Sequence, residues 1–194
     1  MKAVEFVRCS IGYSRPVLED LNLSVEPGEI LNIYGENGSG KTTILKALIG
    51  AVSVRGEIRV FSQNILDLKP IERVRYVSVL FAEVLRGEIT VRRYLSLSFT
   101  SVWEDLAHLY GIEDLLDRPM RSLSSGQNRK VQLVRALSSS APVIALDEPY
   151  SHLDEETKGK LTESILSLHR KGRTIIITSH RPIGIGRPFR VPLA

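Results

Sequence analysis

The chain has 194 residues, 43% of them hydrophobic and 25% charged, which excludes wholesale disorder and, at a rough scale of ~150 residues per domain, leaves room for one domain with a small insert but not for two. Lys and Arg number 26 against 22 Asp and Glu, a net charge of +4 that is too mild and too evenly mixed to argue for nucleic acid as a partner. The one cysteine, Cys9, excludes an internal disulfide and reads as a small buried strand residue of a protein kept in a reducing compartment.

Along the chain, short β-branched runs alternate with helical stretches. The N-terminus MKAVEFVRCS is charged where a secretory signal would be apolar, and no run approaches the ~18 apolar residues that span a bilayer, so any membrane role is expected to come through another chain. Strands are predicted at Val4 to Arg8, Leu21 to Val25 and Ile30 to Tyr34, followed by a helix at Lys41 to Ile49 and strands at Glu57 to Val60 and Arg75 to Leu80. Between Thr90 and Arg118 the strand signal lapses, and Val91 to Phe99 and Val102 to Tyr110 read as two short helices. A helix at Ser125 to Ser138, a strand at Val143 to Leu146, a helix at Glu155 to Lys171 and a strand at Thr174 to Thr178 complete the series. The last two strands are continuously apolar, as expected of central strands covered on both faces. The pattern is that of an α/β fold with a mostly parallel central sheet and a small helical subdomain, about 84–140, inserted in a single domain covering 1–194. The tail RPIGIGRPFRVPLA cannot sustain a helix, and its Arg181, Arg187 and Arg190 have no acidic neighbour in sequence.

The strongest local signal is Gly35, Glu36, Asn37, Gly38, Ser39, Gly40, Lys41 and Thr42, which fit the phosphate-loop pattern G-x-x-x-x-G-K-[ST]. A strand enters this loop and a helix leaves it at the lysine, so backbone N–H groups and a helix N-terminus converge on one anion. The glycines remove Cβ atoms and let the backbone approach phosphate closely. Lys41 is placed to reach the β and γ phosphates, and the Thr42 hydroxyl to ligate Mg²⁺. A second signal is VIALDE at 143–148, a buried strand ending in two carboxylates. In an open parallel sheet such an end faces the ligand, so Asp147 can join the Mg²⁺ shell and Glu148 can orient and deprotonate the attacking water.

Leu123, Ser124, Ser125, Gly126 and Gln127 open a helix just before that strand and resemble the LSGGQ signature of ABC-type ATPases. The resemblance extends in order along nearly the whole chain. Tyr13 looks like the aromatic residue that stacks on adenine, Ser151 to Asp154 resemble the S-A-L-D loop, and His180 looks like the switch histidine. It implies a phosphate-loop NTPase fold of ABC type, with a short antiparallel β part at the N-terminus. It also implies ATP with Mg²⁺ as cofactors, Thr43 beside Thr42 in the nucleotide-binding set, and a homodimer or heterodimer of ATPase domains with ATP at the interface. In that arrangement Ser124 and Gly126 meet the nucleotide of the facing chain, His180 contacts the γ-phosphate and Asp154 helps join the protomers.

The sequence also departs from the family pattern. No Gln lies between Tyr76 and Gly126 where the family places one at the end of a strand; Glu83 is the nearest candidate substitute, and Gln63 falls too early, in the loop after the preceding strand. The loop from Leu80 to Glu88 is expected to be exposed and mobile. Ser125 stands where Gly is usual, His152 replaces a small residue, and the helix usual after His180 is broken by Pro182, Gly184, Gly186 and Pro188, so that no C-terminal regulatory domain is expected. Ser124 minus Lys41 is 83 residues, too few for relatives that insert a long coiled coil there, and one phosphate loop excludes tandem-ATPase translation factors. The resemblance therefore implies an ATP-hydrolysing subunit serving separate transmembrane transporter chains, cytoplasmic and peripheral on the cytoplasmic face of the membrane. The alternative is a soluble ABC ATPase of an assembly system of the iron–sulfur cluster type; a non-enzymatic nucleotide-binding module is disfavoured by the intact Lys41, Asp147 and Glu148.

Overall fold

The computed structural model describes residues 1–98, 100 and 102–191. Two sheets organise them. The first is antiparallel, in the order β2-β1-β4-β5, from β1 (Val4–Gly12), β2 (Pro16–Val25), β4 (Ser53–Val60) and β5 (Gln63–Asn64). The second is parallel throughout, in the order β6-β7-β8-β3-β9, from β3 (Ile30–Tyr34), β6 (Val77–Leu80), β7 (Val143–Leu146), β8 (Thr174–Ser179) and β9 (Arg187–Arg190).

Strands β1 and β2 are longer than the alternation of their residues predicts, and the reason is a phase slip. Val4 and Phe6 are buried, but so are Cys9 and Ile11, which a strict period of two would turn outward. Irregular pairing between Phe6 and Cys9, with Arg8 at φ 46° and Asp20 at φ 48° on the two strands, restores the inward face. Cys9 is fully buried there, its Sγ 3.1 Å from the Glu57 carbonyl oxygen, and burial pushes the thiol up. Gln63, expected in a loop, pairs with Val60 across β4 and β5.

Neighbouring residues of the central strands feed opposite cores. Ile176 and Ala145 pack toward α1 (Lys41–Leu48) and the first sheet, with Ile44, Leu45 and Leu48. Ile175, Ile177 and Ile144 face α5 (Ser125–Leu137) and α6 (Glu155–Arg170), among Val131, Leu133, Leu161 and Ile165. Each such buried aliphatic side chain contributes about 1.5–3 kcal/mol of transfer free energy. Because the strands run parallel, β3, β7 and β8 deliver Gly35, Asp147 and His180 to one edge of the sheet.

Three further α-helices are α2 (Pro70–Arg73), which the sequence did not announce, α3 (Val91–Ser96) and α4 (Val102–Tyr110). The last two are the helices expected of the inserted segment; Phe99, the expected end of the first, lies outside the described residues, as do 192–194 of the tail.

The tail forms no helix, as expected, but 187–190 add β9 to the sheet beside β3. Its charge is not uncompensated as the sequence suggests: Arg187 pairs with Glu29 and donates to the Ser24 carbonyl. The turn into β9 rests on Gly186, at φ 77°, where an added Cβ would sit 2.4 Å from the Ile30 carbonyl oxygen. Gly186→Ala is therefore expected to destabilise the protein by about 2 kcal/mol or more, read as a lower urea midpoint at unchanged m.

Candidate active site

The loop between β3 and α1 is held from inside by its own lysine. Lys41 is 95% buried by its neighbours (5% exposed), and its Nζ donates to the carbonyl oxygens of Gly35 (2.9 Å) and Glu36 (2.8 Å). Gly38 and Gly40 take φ of 81° and 95°, a left-handed conformation that turns successive N–H groups the same way. Gly40 caps α1 with no side-chain hydrogen bond, so the first-turn N–H groups are left to an incoming anion. Ser39 Oγ is buried in this loop without a hydrogen-bond partner, an orphaned polar atom that a phosphate oxygen suits. Asn37 and Glu36 lie exposed on the outer side of the loop, and Thr43 is buried on α1.

Next to the loop, Thr42 Oγ1 donates to the Asp147 carboxylate at 3.0 and 3.2 Å. Asp147, at the end of β7, is 1% exposed. Thr178 Oγ1, from β8, donates to Asp147 Oδ1 at 2.6 Å and accepts the Glu148 N–H at 2.9 Å. Glu148 Oε2 lies 3.1 Å from His180 Nε2, which completes a chain of contacts from α1 to the end of β8. Thr42 and Asp147 make a hard oxygen-donor pair of the kind that suits Mg²⁺, which takes few protein ligands and keeps the rest for water and phosphate. Among the described residues no three His, Cys, Asp or Glu side chains cluster as a self-contained metal centre.

Sequence reasoning missed two residues here. Thr178 looked like one more β-branched strand residue. Arg129, on α5, looked like one basic residue in a charged helix. It is 6% exposed and donates to the Phe81 carbonyl (2.8 Å) and to those of Asp147 (2.6 Å) and Glu148 (2.7 Å). Burial pulls its guanidinium below the usual arginine range, and the nearby carboxylates of Asp147 and Glu148 partly restore it.

The residues expected to form the signature lie at the start of α5, outside the chain of contacts from Thr42 to His180. Ser124 Oγ accepts the Gln127 N–H (3.2 Å) and Gln127 Oε1 accepts the Ser124 N–H (3.0 Å), a reciprocal cap that fixes the helix start. Ser125 is exposed, and Gly126 has only the His152 carbonyl near its absent side chain, at 3.9 Å. Asp154 caps α6 through the Thr157 N–H (2.7 Å), a bond that holds its carboxyl below the usual value. Tyr13 lies 55% exposed in the β1–β2 turn, beside Lys46 of α1.

The segment after β6 differs from expectation. Its side chains from Ala82 to Arg86 are exposed, but its backbone is tied to α5: Asn128 Nδ2 donates to the Leu85 carbonyl (2.7 Å), Asn128 Oδ1 accepts the Leu85 N–H, and Gln132 donates to the Glu83 carbonyl. The Glu83 carboxylate lies 3.5 Å from Lys46 Nζ, away from the Thr42 and Asp147 pair.

A family model described as ABC transporter matches residues 18–151. The chain belongs to the ABC transporter family. It is 36% identical over 170 residues to a zinc import ATP-binding protein of Halorhodospira halophila, covering 86% of this chain but only 63% of the relative. It is also 36% identical to the thiamine import ATP-binding protein of Haemophilus influenzae, over 83% of this chain and 80% of that one. Among solved structures, a Pyrococcus furiosus protein assigned as an ABC transporter ATP-binding protein superposes with a TM-score of 0.81 over 97% of this chain and 96% of its own, at 28% identity. In this chain Arg129 ties α5 to the backbone after β6 and after β7. Replacing that arginine with Met removes three donated hydrogen bonds and takes the Arg129 donor from the Phe81 and Asp147 carbonyls, while the Glu148 carbonyl keeps the Ser151 N–H. Arg129→Met is expected to lower stability by about 2–4 kcal/mol in urea titration, more than a surface Arg→Met change, which stays within about 0.5 kcal/mol.

Proposed function

We propose that this chain is the ATP-binding and ATP-hydrolysing subunit of an ABC transporter, acting at the cytoplasmic face of a membrane through separate transmembrane chains. The observation that carries the reading is the run of contacts at the mouth of the Lys41 loop, hydrogen-bonded from Thr42 through Asp147 and Thr178 to the Glu148 N–H, with His180 Nε2 3.1 Å from the Glu148 carboxylate. ATP fits this site because the loop offers N–H donors, a buried lysine and an orphaned hydroxyl to a polyphosphate, while Tyr13 supplies an exposed ring for the adenine. Thr42 and Asp147 would hold Mg²⁺, which when bound neutralises charge on the β and γ phosphates. Lys41 would exchange its loop carbonyls for phosphate oxygens. Glu148 would take a proton from water as it attacks the γ phosphorus, the bond to ADP breaking as the new P–O bond forms. His180, in contact with Glu148, would orient that carboxylate and meet the γ-phosphate.

Separation of the signature from this cluster favours a two-chain site, in which Ser124, Ser125, Gly126 and Gln127 of one chain, with Asp154 nearby, close over the nucleotide on the other. No helix among the described residues is long and apolar enough to cross a membrane, so coupling would use a docking surface. A cavity of about 490 Å³ borders the His180 turn, whereas one of about 660 Å³ opens between α2 and α3, with exposed Ile71, Val74 and Leu97 on its rim. Rim chemistry of this kind favours the second for a cytoplasmic segment of the transmembrane partner.

Two substitutions test the reading. Lys41→Ala should abolish tight binding in a Mg·ATP titration; affinity equal to wild type would remove Lys41 from the site. Glu148→Gln should keep ATP binding and lower turnover by roughly 10²- to 10⁴-fold. With ATP the same variant should elute as a dimer that ADP does not support, and a monomer at high concentration would assign the second half-site to a different chain.

A further inference from the structure

Asn32 is a buried amide in the middle of β3, 2% exposed, with Ile30, Leu31 and Ile33 around it in the strand. A polar side chain in such a place costs stability unless its hydrogen bonds are made, so its partners identify what it serves. Asn32 Nδ2 donates to Ser179 Oγ (2.8 Å) and to the Ile177 carbonyl (3.3 Å), and Asn32 Oδ1 accepts the Ile183 N–H (3.1 Å). Ser179 Oγ passes the contact on, donating to the Arg181 carbonyl at 2.6 Å. These bonds grip residues 177, 179, 181 and 183, on both sides of His180. Among the described residues no helix follows His180; residues 180–186 turn back to β9 instead. Nothing in regular secondary structure therefore fixes the imidazole, yet its Nε2 stands 3.1 Å from Glu148.

We propose that Asn32, through Ser179, is a positioning residue for His180. The amide does the work of the absent helix: it clamps the turn from below, inside the core, and leaves the imidazole free at the surface to meet Glu148 and the γ-phosphate. This assignment rests on the hydrolytic role given above to Glu148 and His180. Asn32 itself touches neither the phosphate loop nor Asp147, so its loss should spare nucleotide binding and strike turnover.

The test is steady-state ATP hydrolysis by the whole chain with Asn32→Val, which suits a strand and nearly fills the same space, and with Ser179→Ala, which cuts the relay from its exposed side. Each should lower kcat about 10- to 100-fold, the scale of a misplaced catalytic group, with KM for ATP unchanged within about twofold. In a His180→Ala background the same changes should cost nothing further, because the residue they position is gone. An equal loss with and without His180, or a rise in KM at unchanged kcat, would overturn the proposal. The His180 imidazole NMR resonances, measured without nucleotide, give a readout independent of hydrolysis. They should move in both variants, and resonances that stay in place would refute the positioning role even in a protein found not to hydrolyse ATP. Conversely, a wild-type chain with no turnover but with shifted resonances would sink the enzymatic reading and keep the clamp. Should Asn32→Val not fold, Ser179→Ala carries each comparison alone.

Discussion

A carboxylate that is 1% exposed must find its stabilisation within the protein, and Asp147 finds it by joining three elements that are distant in sequence. Thr42 comes from α1 and Thr178 from β8, while β7 carries the aspartate itself. An apolar residue at 147 would make the sheet easier to bury but would leave nothing to fix where α1 starts relative to the ends of β7 and β8. The hydroxyl of Thr178 is used in both directions, giving its proton to Asp147 and accepting that of the Glu148 N–H. The backbone of Glu148 is thus set by the same charge that faces the phosphate loop.

That backbone is strained. Glu148 has φ of 44°, a left-handed conformation that costs a residue other than glycine of order 1–3 kcal/mol. It persists because it is held from several directions: Thr178 at its N–H, Arg129 at its carbonyl, and His180 at its carboxylate. The turn lifts the side chain off the strand axis toward His180 instead of letting it continue the alternation of β7. Arg129 lies on α5, the helix that Ser124 caps, so the side chain that holds the Glu148 carbonyl is itself placed by the start of that helix.

Much of this was legible in the sequence. The phosphate loop, the two carboxylates after an apolar strand, and the order of helices and strands all follow from local patterns whose physics is local. What was not legible depends on tertiary context. The bulge at Arg8 hid half of β1, because a period-two reading stops where the phase slips. Strand β9 was hidden by its own composition: Arg-Pro-Phe-Arg has no strand signal until β3 is there to receive it. Arg129 and Asn32 gave no signal either, since a polar residue declares its partner only once the fold has buried it. The loop after β6 was expected to be exposed and mobile; its side chains from Ala82 to Arg86 are exposed, but Asn128 and Gln132 of α5 bond its backbone, a tie that no local pattern announces.

Strand β9 also decides how the sheet ends. Val191 gives its N–H to the Tyr34 carbonyl, so by the alternation of a strand Phe189 points its backbone groups the same way and Pro188 points outward. The one residue in β9 that has no N–H therefore stands on the unpaired side, flanked by Arg187 and Arg190, which are exposed. An unpaired rim with a donor missing near its centre and the exposed Arg190 close by is a poor template for a further strand. Among the described residues β9 is thus the edge of its sheet and, by its own composition, discourages edge-to-edge pairing between copies of this chain.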